Sequence, residues 1–321
     1  MPKILVEGEL HPSGLEILKQ NQNIDLMQIK GDWDKSFTPI LHEIDGLLLR
    51  GQKLDSDTIS KMTNLKIVSR YGVGYDTVDI EALSERKIPL TIVGNVLSQT
   101  VAEHAFLLTI ALSKNLLRYD FSLRNGDWNI RNSLKSMDLF GKNVFIIGLG
   151  KIGIRYAMLT KAFGMNVKAY DPLISKDYFK KNKIEYCHNL IDGLKNADVI
   201  SLHIPKPSKP IITKNEINLL KKTSIIINTS RGEAIEENDL INALENEKIR
   251  GVALDVFKEE PLSTKSKLIT STKTLLTPHS SSLTIECAER MAITSVQNLV
   301  DFFENNLNPD MVVNSKEINY I

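Results

Sequence analysis

The sequence predicts an α/β protein whose β-sheets are parallel and fall into two domains. Three observations predict this fold class. The chain has 321 residues, which exceeds the length at which a single hydrophobic core usually stops growing. Short apolar segments alternate with helical stretches twice, in the first hundred residues and again from residue 143. A glycine-rich loop joins an apolar strand to a helix where the second series begins.

Each series consists of short apolar strands that are separated by helical stretches, so both sheets are expected to be parallel. The first series comprises residues 3–6, 46–49, 65–68 and 89–93. The second series comprises residues 143–147, 166–170, 198–202, 224–228, 251–254 and 274–276. Six strands are therefore expected in the second unit. A final helix is expected over about residues 284–304, followed by a short polar tail.

Between the two series lies a segment without glycine or proline, residues 96–117. Its apolar residues fall on every side of a helix, and they are Val101, Ala105, Phe106, Leu108, Ile110, Leu112 and Leu116. A helix that is apolar all round is typically buried. Because one small domain offers too little cover for such a helix, we expect a homodimer that associates through this region.

Composition excludes several other classes of protein. With 40 basic and 39 acidic residues, the chain has no net positive field for nucleic acid. Cys187 and Cys287 are far apart and belong to no metal-spaced cluster, so we expect reduced thiols and no metal. The first residues become charged too early for a signal peptide, and no apolar run reaches the roughly 20 residues of a membrane span. These features indicate a cytoplasmic protein without a membrane partner.

The glycine loop has the spacing of a dinucleotide site. Gly148 permits a tight turn, Gly150 lets the backbone approach a pyrophosphate, and Gly153 lets the helix pack against the strand. Asp171 ends the next strand, where its carboxylate would accept hydrogen bonds from ribose hydroxyls. A carboxylate there repels a 2′-phosphate, and no arginine directly follows it. The loop therefore predicts NAD rather than NADP.

Three polar residues follow later strands, at the sheet edge where ligands bind in doubly wound folds. Arg231 comes after the strand at 224–228, and His279 comes after the strand at 274–276. Glu260 precedes a proline in the loop after the strand at 251–254. Taken singly, each is also typical of a turn, a cap or a solvated loop. Together they are candidates for the chemistry.

An ordered set of motifs gives this chain a family resemblance. The motifs are Gly148-Leu-Gly-Lys-Ile-Gly153, Tyr170-Asp-Pro172, Leu202-His-Ile-Pro205, Asn228-Thr-Ser-Arg-Gly232, Leu254-Asp-Val-Phe257 with Glu260-Pro261, and Thr277-Pro-His279. In this order they resemble the D-isomer-specific 2-hydroxyacid dehydrogenases. Upstream, Ser69-Arg-Tyr-Gly-Val-Gly74 is similar to the substrate loop of that family.

The resemblance implies an interrupted domain order. Residues 1–98 and 288–321 would form a flavodoxin-like substrate domain, and residues 99–287 a Rossmann-type NAD-binding domain inserted into it. Members of the family also dimerise through the region of residues 96–117. The family's catalytic set maps onto Arg231, Glu260 and His279, where arginine binds the substrate carboxylate, histidine exchanges the hydroxyl proton, and glutamate holds the histidine.

The resemblance also assigns binding residues. Those expected to bind the cofactor are Gly148, Gly150, Lys151, Ile152, Gly153, Asp171, His203, Pro205, Thr229, Arg231, Asp255, His279 and Ser281. Backbone N–H groups around Val73 and Gly74 would join Arg231 in binding the carboxylate. Arg50 and Arg70 match positions where phosphoglycerate dehydrogenases carry arginines that face the substrate phosphate, although both arginines are also compatible with local structural roles.

The expected reaction interconverts a small anionic D-2-hydroxy acid and its 2-keto acid. The two arginines favour 3-phosphoglycerate and 3-phosphohydroxypyruvate, and the chain is most similar to short phosphoglycerate dehydrogenases without a regulatory domain. Reduction of glyoxylate or hydroxypyruvate stays open. An NAD-sensing binding protein like the C-terminal-binding-protein corepressors, or a phosphite or formate oxidase, are further alternatives on the same scaffold.

Overall fold

The computed structural model describes residues 1–29 and 38–320, and within these it describes the side chains of all residues except 38 and 39. The chain separates into two compact units. Unit 1 comprises Met1–Leu97 and Leu283–Ile321, and unit 2 comprises Ser98–Ser282. Unit 2 thus begins one residue before the predicted inserted domain and ends five residues before its predicted end.

Unit 1 is built on a five-stranded parallel sheet with the order β2-β1-β3-β4-β5. Its elements before residue 98 are β1 (Lys3–Glu7), α1 (Pro12–Gln20), β2 (Asp25–Ile29), β3 (Gly46–Leu49), α2 (Ser56–Lys61), β4 (Ile67–Arg70), α3 (Ile80–Glu85) and β5 (Leu90–Thr91). A 3-10 helix covers Thr38–Glu43. This strand order is the flavodoxin-like doubly wound arrangement. The sequence did not predict β2, a partly polar strand at the edge of the described sheet, where it pairs with β1.

Unit 2 contains a seven-stranded parallel sheet. Its elements are α4 (Ser98–Ser113), α5 (Leu116–Arg124), β6 (Asn143–Ile147), α6 (Lys151–Ala162), β7 (Asn166–Tyr170), α7 (Lys176–Lys181), β8 (Glu185–Tyr186), α8 (Leu190–Asn196), β9 (Val199–Leu202), α9 (Lys214–Ile217), β10 (Ile225–Asn228), α10 (Glu237–Glu245), β11 (Gly251–Leu254), α11 (Lys267–Thr270) and β12 (Thr274–Leu276). Two 3-10 helices cover Trp128–Ser133 and Gly232–Ala234.

The strand order of unit 2 is β12-β11-β10-β9-β6-β7-β8. It extends the Rossmann order by one strand, and the connections reverse direction between β6 and β9. The fold class predicted from the sequence is therefore confirmed. The sequence predicted six strands and missed β8, which has only two residues and lies at the edge of the sheet beside β7.

The last helix of the chain, α12 (Ile285–Phe303), belongs to unit 1. It packs against α1, β3 and β4. The hydroxyl of Ser69 on β4 donates to the carbonyl oxygen of Ser295 at 2.7 Å, and Thr91 donates to Ser69 at 3.1 Å. These residues are fully buried, so the hydrogen bonds satisfy hydroxyls that burial would otherwise leave unpaired. The N-terminal sheet therefore depends on the C-terminal helix for its cover.

The prediction of one continuous buried helix over residues 96–117 is wrong in two respects. The helix ends at Ser113, and Asn115 takes a left-handed conformation with a φ of 52° before α5 begins. Leu107, on α4 itself, is 55% exposed, whereas most of the remaining apolar side chains of α4 are buried in unit 2. In the described ranges 1–29 and 38–320, no helix is long and apolar enough to cross a membrane.

Candidate active site

The glycine loop after β6 is shaped by two close backbone approaches. Gly148 has a φ of +91°, and a Cβ atom on it would lie 2.4 Å from the carbonyl oxygen of His203. A Cβ atom on Gly153 would lie 2.1 Å from the carbonyl oxygen of Gly148. Both positions therefore require glycine. Gly150 is exposed and a Cβ there would meet no atom within 4 Å, so the loop is open where α6 begins.

The open side of the loop has the donors that a pyrophosphate needs. Lys151 and Ile152 form the first turn of α6, whose N–H groups have no partner within the helix. Asp171 follows β7, and its carboxylate accepts hydrogen bonds from the N–H of Leu149 at 2.8 Å and of Leu173 at 2.9 Å. The carboxylate thus connects the glycine loop to the next strand. These residues fit a dinucleotide cofactor.

Residues after β9 and β10 continue the same edge of the sheet. The imidazole Nε2 of His203 lies 2.9 Å from the Ser201 hydroxyl, and burial lowers the pKa of this imidazole to about 3. Pro205 is exposed. Thr229 is buried, and its hydroxyl has no hydrogen-bond partner within the part of the chain that the structure describes. Buried polar atoms are usually paired, so this hydroxyl is suited to a ligand.

His279 and Glu260 form a hydrogen-bonded pair. The Nδ1 atom of His279 lies 2.7 Å from one carboxylate oxygen of Glu260, and the other oxygen accepts the N–H of Phe257 at 3.0 Å. The hydrogen bond to Glu260 raises the pKa of His279, against the lowering effect of burial. Burial acts to raise the pKa of Glu260, but the hydrogen bonds from His279 and Phe257 outweigh it and the pKa is lowered. The pair therefore favours imidazolium next to carboxylate.

Arg231 lies in a tight turn after β10. The Asn228 side chain donates to the carbonyl oxygen of Arg231 at 2.9 Å, and a guanidinium N–H of Arg231 donates to the carbonyl oxygen of Ser230 at 2.7 Å. A Cβ atom on Gly232 would lie 1.9 Å from the backbone of Phe257, so this turn packs directly on the loop that carries Glu260. The charge of Arg231 also acts on Glu260 and His279. The structure thus brings the three predicted catalytic residues together.

Asp255 fixes the turn that carries His279. Its fully buried carboxylate accepts the hydroxyl of Thr277 at 2.6 Å and the N–H groups of Ser280 and Ser281 at 2.9 Å each. Its carbonyl oxygen accepts the N–H of His279 at 2.8 Å. His279 has a φ of 49°, a left-handed conformation that costs about 1 kcal/mol or more in a residue with a side chain. These hydrogen bonds hold the turn in that conformation.

Two residues that the sequence did not single out take part in this arrangement. Thr277 lies in the motif that precedes His279, yet only the structure reveals its bond to Asp255. His104 on α4 contacts the Thr277 hydroxyl at 3.1 Å and lies 3.7 Å from the Asp255 carboxylate. His104 is separated from Asp255 by 151 residues in the sequence, so no local pattern could have predicted the contact.

A cavity of about 690 Å³ opens beside the pair of His279 and Glu260 within unit 2. It is lined by Phe257, Glu260, Pro261, Leu262, Ile269, Leu276, Thr277, Pro278 and His279. Among the described residues that line it, Glu260 and His279 alone are ionisable. The pair of His279 and Glu260 therefore faces a largely apolar space.

Apart from Arg231, which lies in unit 2, the predicted substrate residues lie in unit 1. A guanidinium N–H of Arg50 donates to the carbonyl oxygen of Glu9, and the guanidinium lies 4.8 Å from the ring centre of Tyr71. The buried carboxylate of Glu7 accepts the N–H of Arg50 and, at 2.9 Å, that of Gly51. Glu7 therefore fixes the turn after β3. A guanidinium has five N–H donors, so this contact leaves Arg50 able to bind a further acceptor.

Arg70 lies at the end of β4, where one guanidinium N–H donates to the carbonyl oxygen of Leu49 at 3.2 Å. Val73 and Gly74 follow in the loop after β4, and both are partly exposed. Arg50 directly follows β3 and Arg70 ends β4. Because β3 and β4 pair directly, the two arginines lie at neighbouring strand ends.

The sequence is similar to known dehydrogenases and reductases. Residues 106–281 match the family described as D-isomer specific 2-hydroxyacid dehydrogenase, NAD binding domain. The D-3-phosphoglycerate dehydrogenase of Methanocaldococcus jannaschii is 37% identical over 92% of this chain, which spans 56% of that protein's length. The glyoxylate reductase of Aeropyrum pernix is 32% identical, and the alignment covers 97% of this chain and 96% of the reductase.

Solved structures are similar over both units. The D-lactate dehydrogenase of Aquifex aeolicus, solved in complex with NAD and lactic acid, superposes with a TM-score of 0.86 at 26% identity. The superposition covers 94% of this chain and 96% of that one. The cofactor predicted from the glycine loop therefore agrees with the family's NAD-binding domain.

Replacing Gly148 with alanine is expected to weaken NADH binding about tenfold or more, because the new Cβ would force the loop away from the His203 carbonyl. Fluorescence titration with NADH measures this effect. Gly141→Ala is the matched control, since Gly141 also has a positive φ but a Cβ there meets no atom within 4 Å. Equal affinities for the wild type and Gly148→Ala would contradict the assignment of the loop.

Proposed function

Because this chain belongs to the D-isomer-specific 2-hydroxyacid dehydrogenases, we propose that it interconverts a D-2-hydroxy acid and the corresponding 2-keto acid with NAD. The observation that carries the proposal is the 2.7 Å contact between His279 and Glu260, next to Arg231, in the unit that matches the family's NAD-binding domain. An acid–base group, its partner and a carboxylate-binding cation are the parts that this reaction needs.

Each residue has a defined task in the proposed reaction. The Nε2 atom of His279 gives a proton to the keto oxygen during reduction and removes it during oxidation. Glu260 occupies Nδ1, which fixes the ring orientation and stabilises the imidazolium. Arg231 binds the substrate carboxylate with its planar guanidinium. Bound NAD would supply or accept the hydride.

On the cofactor side, we propose that Gly148, Gly150 and the first turn of α6 bind the pyrophosphate and that Asp171 accepts the ribose hydroxyls. The rest of the cofactor site would be lined by Pro205, Thr229 and Ser281. Asp255 already accepts three hydrogen bonds with its carboxylate, so we propose that it serves the cofactor through the turn around Ser281. Unit 2 would then be the NAD-binding domain and unit 1 the substrate domain.

The proposed substrate pair is 3-phosphoglycerate and 3-phosphohydroxypyruvate. The phosphoglycerate dehydrogenase cited above supports it at 37% identity, as do the two guanidiniums of Arg50 and Arg70 at neighbouring strand ends. Glyoxylate or hydroxypyruvate is the second candidate. The glyoxylate reductase, which this chain matches over nearly its full length, favours it, and so does the engagement of Arg50 by Glu9 and Tyr71.

The pair of His279 and Glu260 predicts that the rate of reduction depends on pH. Reduction needs protonated His279, so kcat/KM for reduction should fall as the pH rises through the raised pKa of His279. In Glu260→Gln the supporting charge is lost, and this fall should move to lower pH. His279→Gln should lower kcat by about 10²- to 10⁴-fold while NADH still binds. Steady-state pH profiles and NADH titrations measure these effects.

The exposed His188 provides the matched control, because His188→Gln removes an imidazole of unit 2 that lies outside the candidate site. An unshifted profile in Glu260→Gln, or full turnover in His279→Gln, would refute the proton-transfer roles.

A panel of 2-keto acids with and without phosphate distinguishes the two substrate candidates. If phosphohydroxypyruvate is the substrate, Arg50→Met should raise its KM about tenfold or more and leave the KM for glyoxylate unchanged. Lys53→Met, in the same loop, is the control cation because it is largely exposed and pairs with Asp55. Turnover of glyoxylate or hydroxypyruvate alone, with no effect of phosphate, would establish the second candidate.

We also propose a homodimer that associates through α4, α5 and the following loop. Eight large apolar side chains in this stretch are more than half exposed, and they are Leu107, Leu116, Leu117, Phe121, Leu123, Trp128, Leu134 and Phe140. Such a concentration of exposed apolar surface is typical of an interface.

Light scattering should therefore give a mass twice that of the 36.1 kDa chain at micromolar concentration. Leu117→Glu should shift this mass towards the monomer, since a charge would replace apolar contact. Ile191→Glu, which changes an exposed residue of α8, should leave it unchanged. A wild-type mass near that of one chain would exclude the dimer.

A further inference from the structure

The imidazole of His104 on α4 reaches the turn that carries His279, and the proposed reaction assigns it no task. Its Nε2 atom lies 3.1 Å from the Thr277 hydroxyl and 3.7 Å from a carboxylate oxygen of Asp255. The His104 side chain is 18% exposed, and that of Asp255 is fully buried. All four residues belong to unit 2, where α4 packs against β11 and β12. The contact therefore connects the first helix of unit 2 to a turn of the candidate site.

The carboxylate of Asp255 determines the direction of these hydrogen bonds. Its Oδ1 atom accepts the Thr277 hydroxyl at 2.6 Å and the N–H of Ser280 at 2.9 Å, and its Oδ2 atom accepts the N–H of Ser281 at 2.9 Å. An ionised carboxylate only accepts, so the single proton of the Thr277 hydroxyl is committed to Asp255. At its contact with His104 the hydroxyl can therefore only accept, and the donor must be a proton on Nε2 of His104.

This proton restrains Thr277 and, through it, Asp255. The Thr277 oxygen is held from two sides, by the donor His104 and by the acceptor Asp255. Hydrogen bonds that follow one another polarise each other, so loss of the first bond weakens the second. The N–H of His104 also places partial positive charge near the buried carboxylate, one oxygen of which lies 3.7 Å from Nε2. His104 therefore helps to hold the carboxylate in place.

Asp255 transmits this restraint to His279. Its carbonyl oxygen accepts the N–H of His279 at 2.8 Å, and its carboxylate accepts the next two N–H groups of the chain. The left-handed backbone of His279, with a φ of 49°, persists only where surrounding contacts support it. A shift of this backbone would move the imidazole relative to the Glu260 carboxylate, which lies 2.7 Å from Nδ1.

We propose that His104 is a positioning residue for His279. Its Nε2–H holds Thr277 on Asp255, and Asp255 holds the backbone that directs the His279 imidazole towards Glu260. Catalysis depends steeply on such geometry, because a displacement of about 1 Å can lower a rate about a hundredfold. The inference rests on the proton transfer proposed for His279.

Two substitutions of His104 separate the hydrogen bond from the volume of the side chain. His104→Leu keeps an apolar side chain and removes the donor, so kcat for keto acid reduction should fall about tenfold. His104→Gln keeps an N–H donor near the end of the side chain, so it should retain most of kcat.

Thr109→Val is the matched control on the same helix. Thr109 is fully buried, and its hydroxyl donates to the carbonyl oxygen of Ala105 and lies 2.8 Å from the phenol oxygen of Tyr156 on α6. The substitution removes a buried hydrogen bond that does not involve Thr277 or Asp255. It should lower the melting temperature and leave kcat unchanged.

Two-dimensional 15N–1H spectra of histidine-labelled protein test the proposal without turnover. The wild type should show a proton on Nε2 of His104, and the signal is assigned by its absence in His104→Gln. The hydrogen bond to Glu260 raises the pKa of His279 against the effect of burial, and Asp255 and Arg231 are the other charged groups that act on it. In His104→Leu the imidazole is less well aligned with Glu260, so its titration should move to lower pH. The other two variants should titrate as the wild type does.

Three results would overturn the proposal. The first is an Nε2 atom of His104 without a proton in the wild type, which is measured even if His104→Leu fails to fold. The second is an unchanged kcat or an unchanged titration of His279 in His104→Leu. The third is an equal loss of kcat in Thr109→Val or in His104→Gln, which would reduce the effect to general packing. If the wild type turns over no 2-keto acid, the proposed function is contradicted, and the titration of His279 in His104→Leu still decides this inference.

Discussion

The close approach of Gly148 to the carbonyl oxygen of His203 is the constraint on which unit 2 depends. It occurs where the order of connections reverses, between β6 and β9, so a crevice opens there between the two strand ends. The strands are tied at this point by the N–H of His203 on Ile147. Any side chain at position 148 would push β6 and β9 apart at the edge where the loops converge. The shape of the cofactor site therefore depends on backbone contacts and not on a functional side chain.

The three candidate catalytic residues are positioned in a different way. Arg231, Glu260 and His279 lie in turns, where no helix or strand ladder fixes the backbone. Asp255 stabilises the backbone around His279 instead. Its buried carboxylate accepts hydrogen bonds from one hydroxyl and two N–H groups of the turn that carries His279. Burying a charge is favourable only when it is well paired, and here three donors share the carboxylate. These three hydrogen bonds offset the cost of burying the anion, and they also hold the turn that places His279.

The sequence predicted what depends on local pattern. The glycine loop and most strands follow from spacing, because glycine geometry and strand ends are encoded within a few residues. The roles expected for Arg231, Glu260 and His279 came instead from the family resemblance. The sequence missed β2 because this edge strand carries polar residues, and it missed β8 because that strand has only two residues. The break at Asn115 escaped because a left-handed residue leaves no periodic signal. The bonds of Asp255 join residues that are more than twenty positions apart in sequence, so only the fold brings them together.

The discontinuity of unit 1 also governs the order in which the molecule can form. Its sheet is complete by Thr91, but the cover that α12 gives to β3 and β4 comes only after the intervening 185 residues of unit 2. At ribosomal speeds of about 5–20 residues per second, this interval lasts roughly 10 to 40 s. During that time an apolar sheet face waits on the nascent chain while unit 2, which is continuous in sequence, can already fold. The face of the sheet that α12 covers therefore stays uncovered on the nascent chain until all of unit 2 has been synthesised.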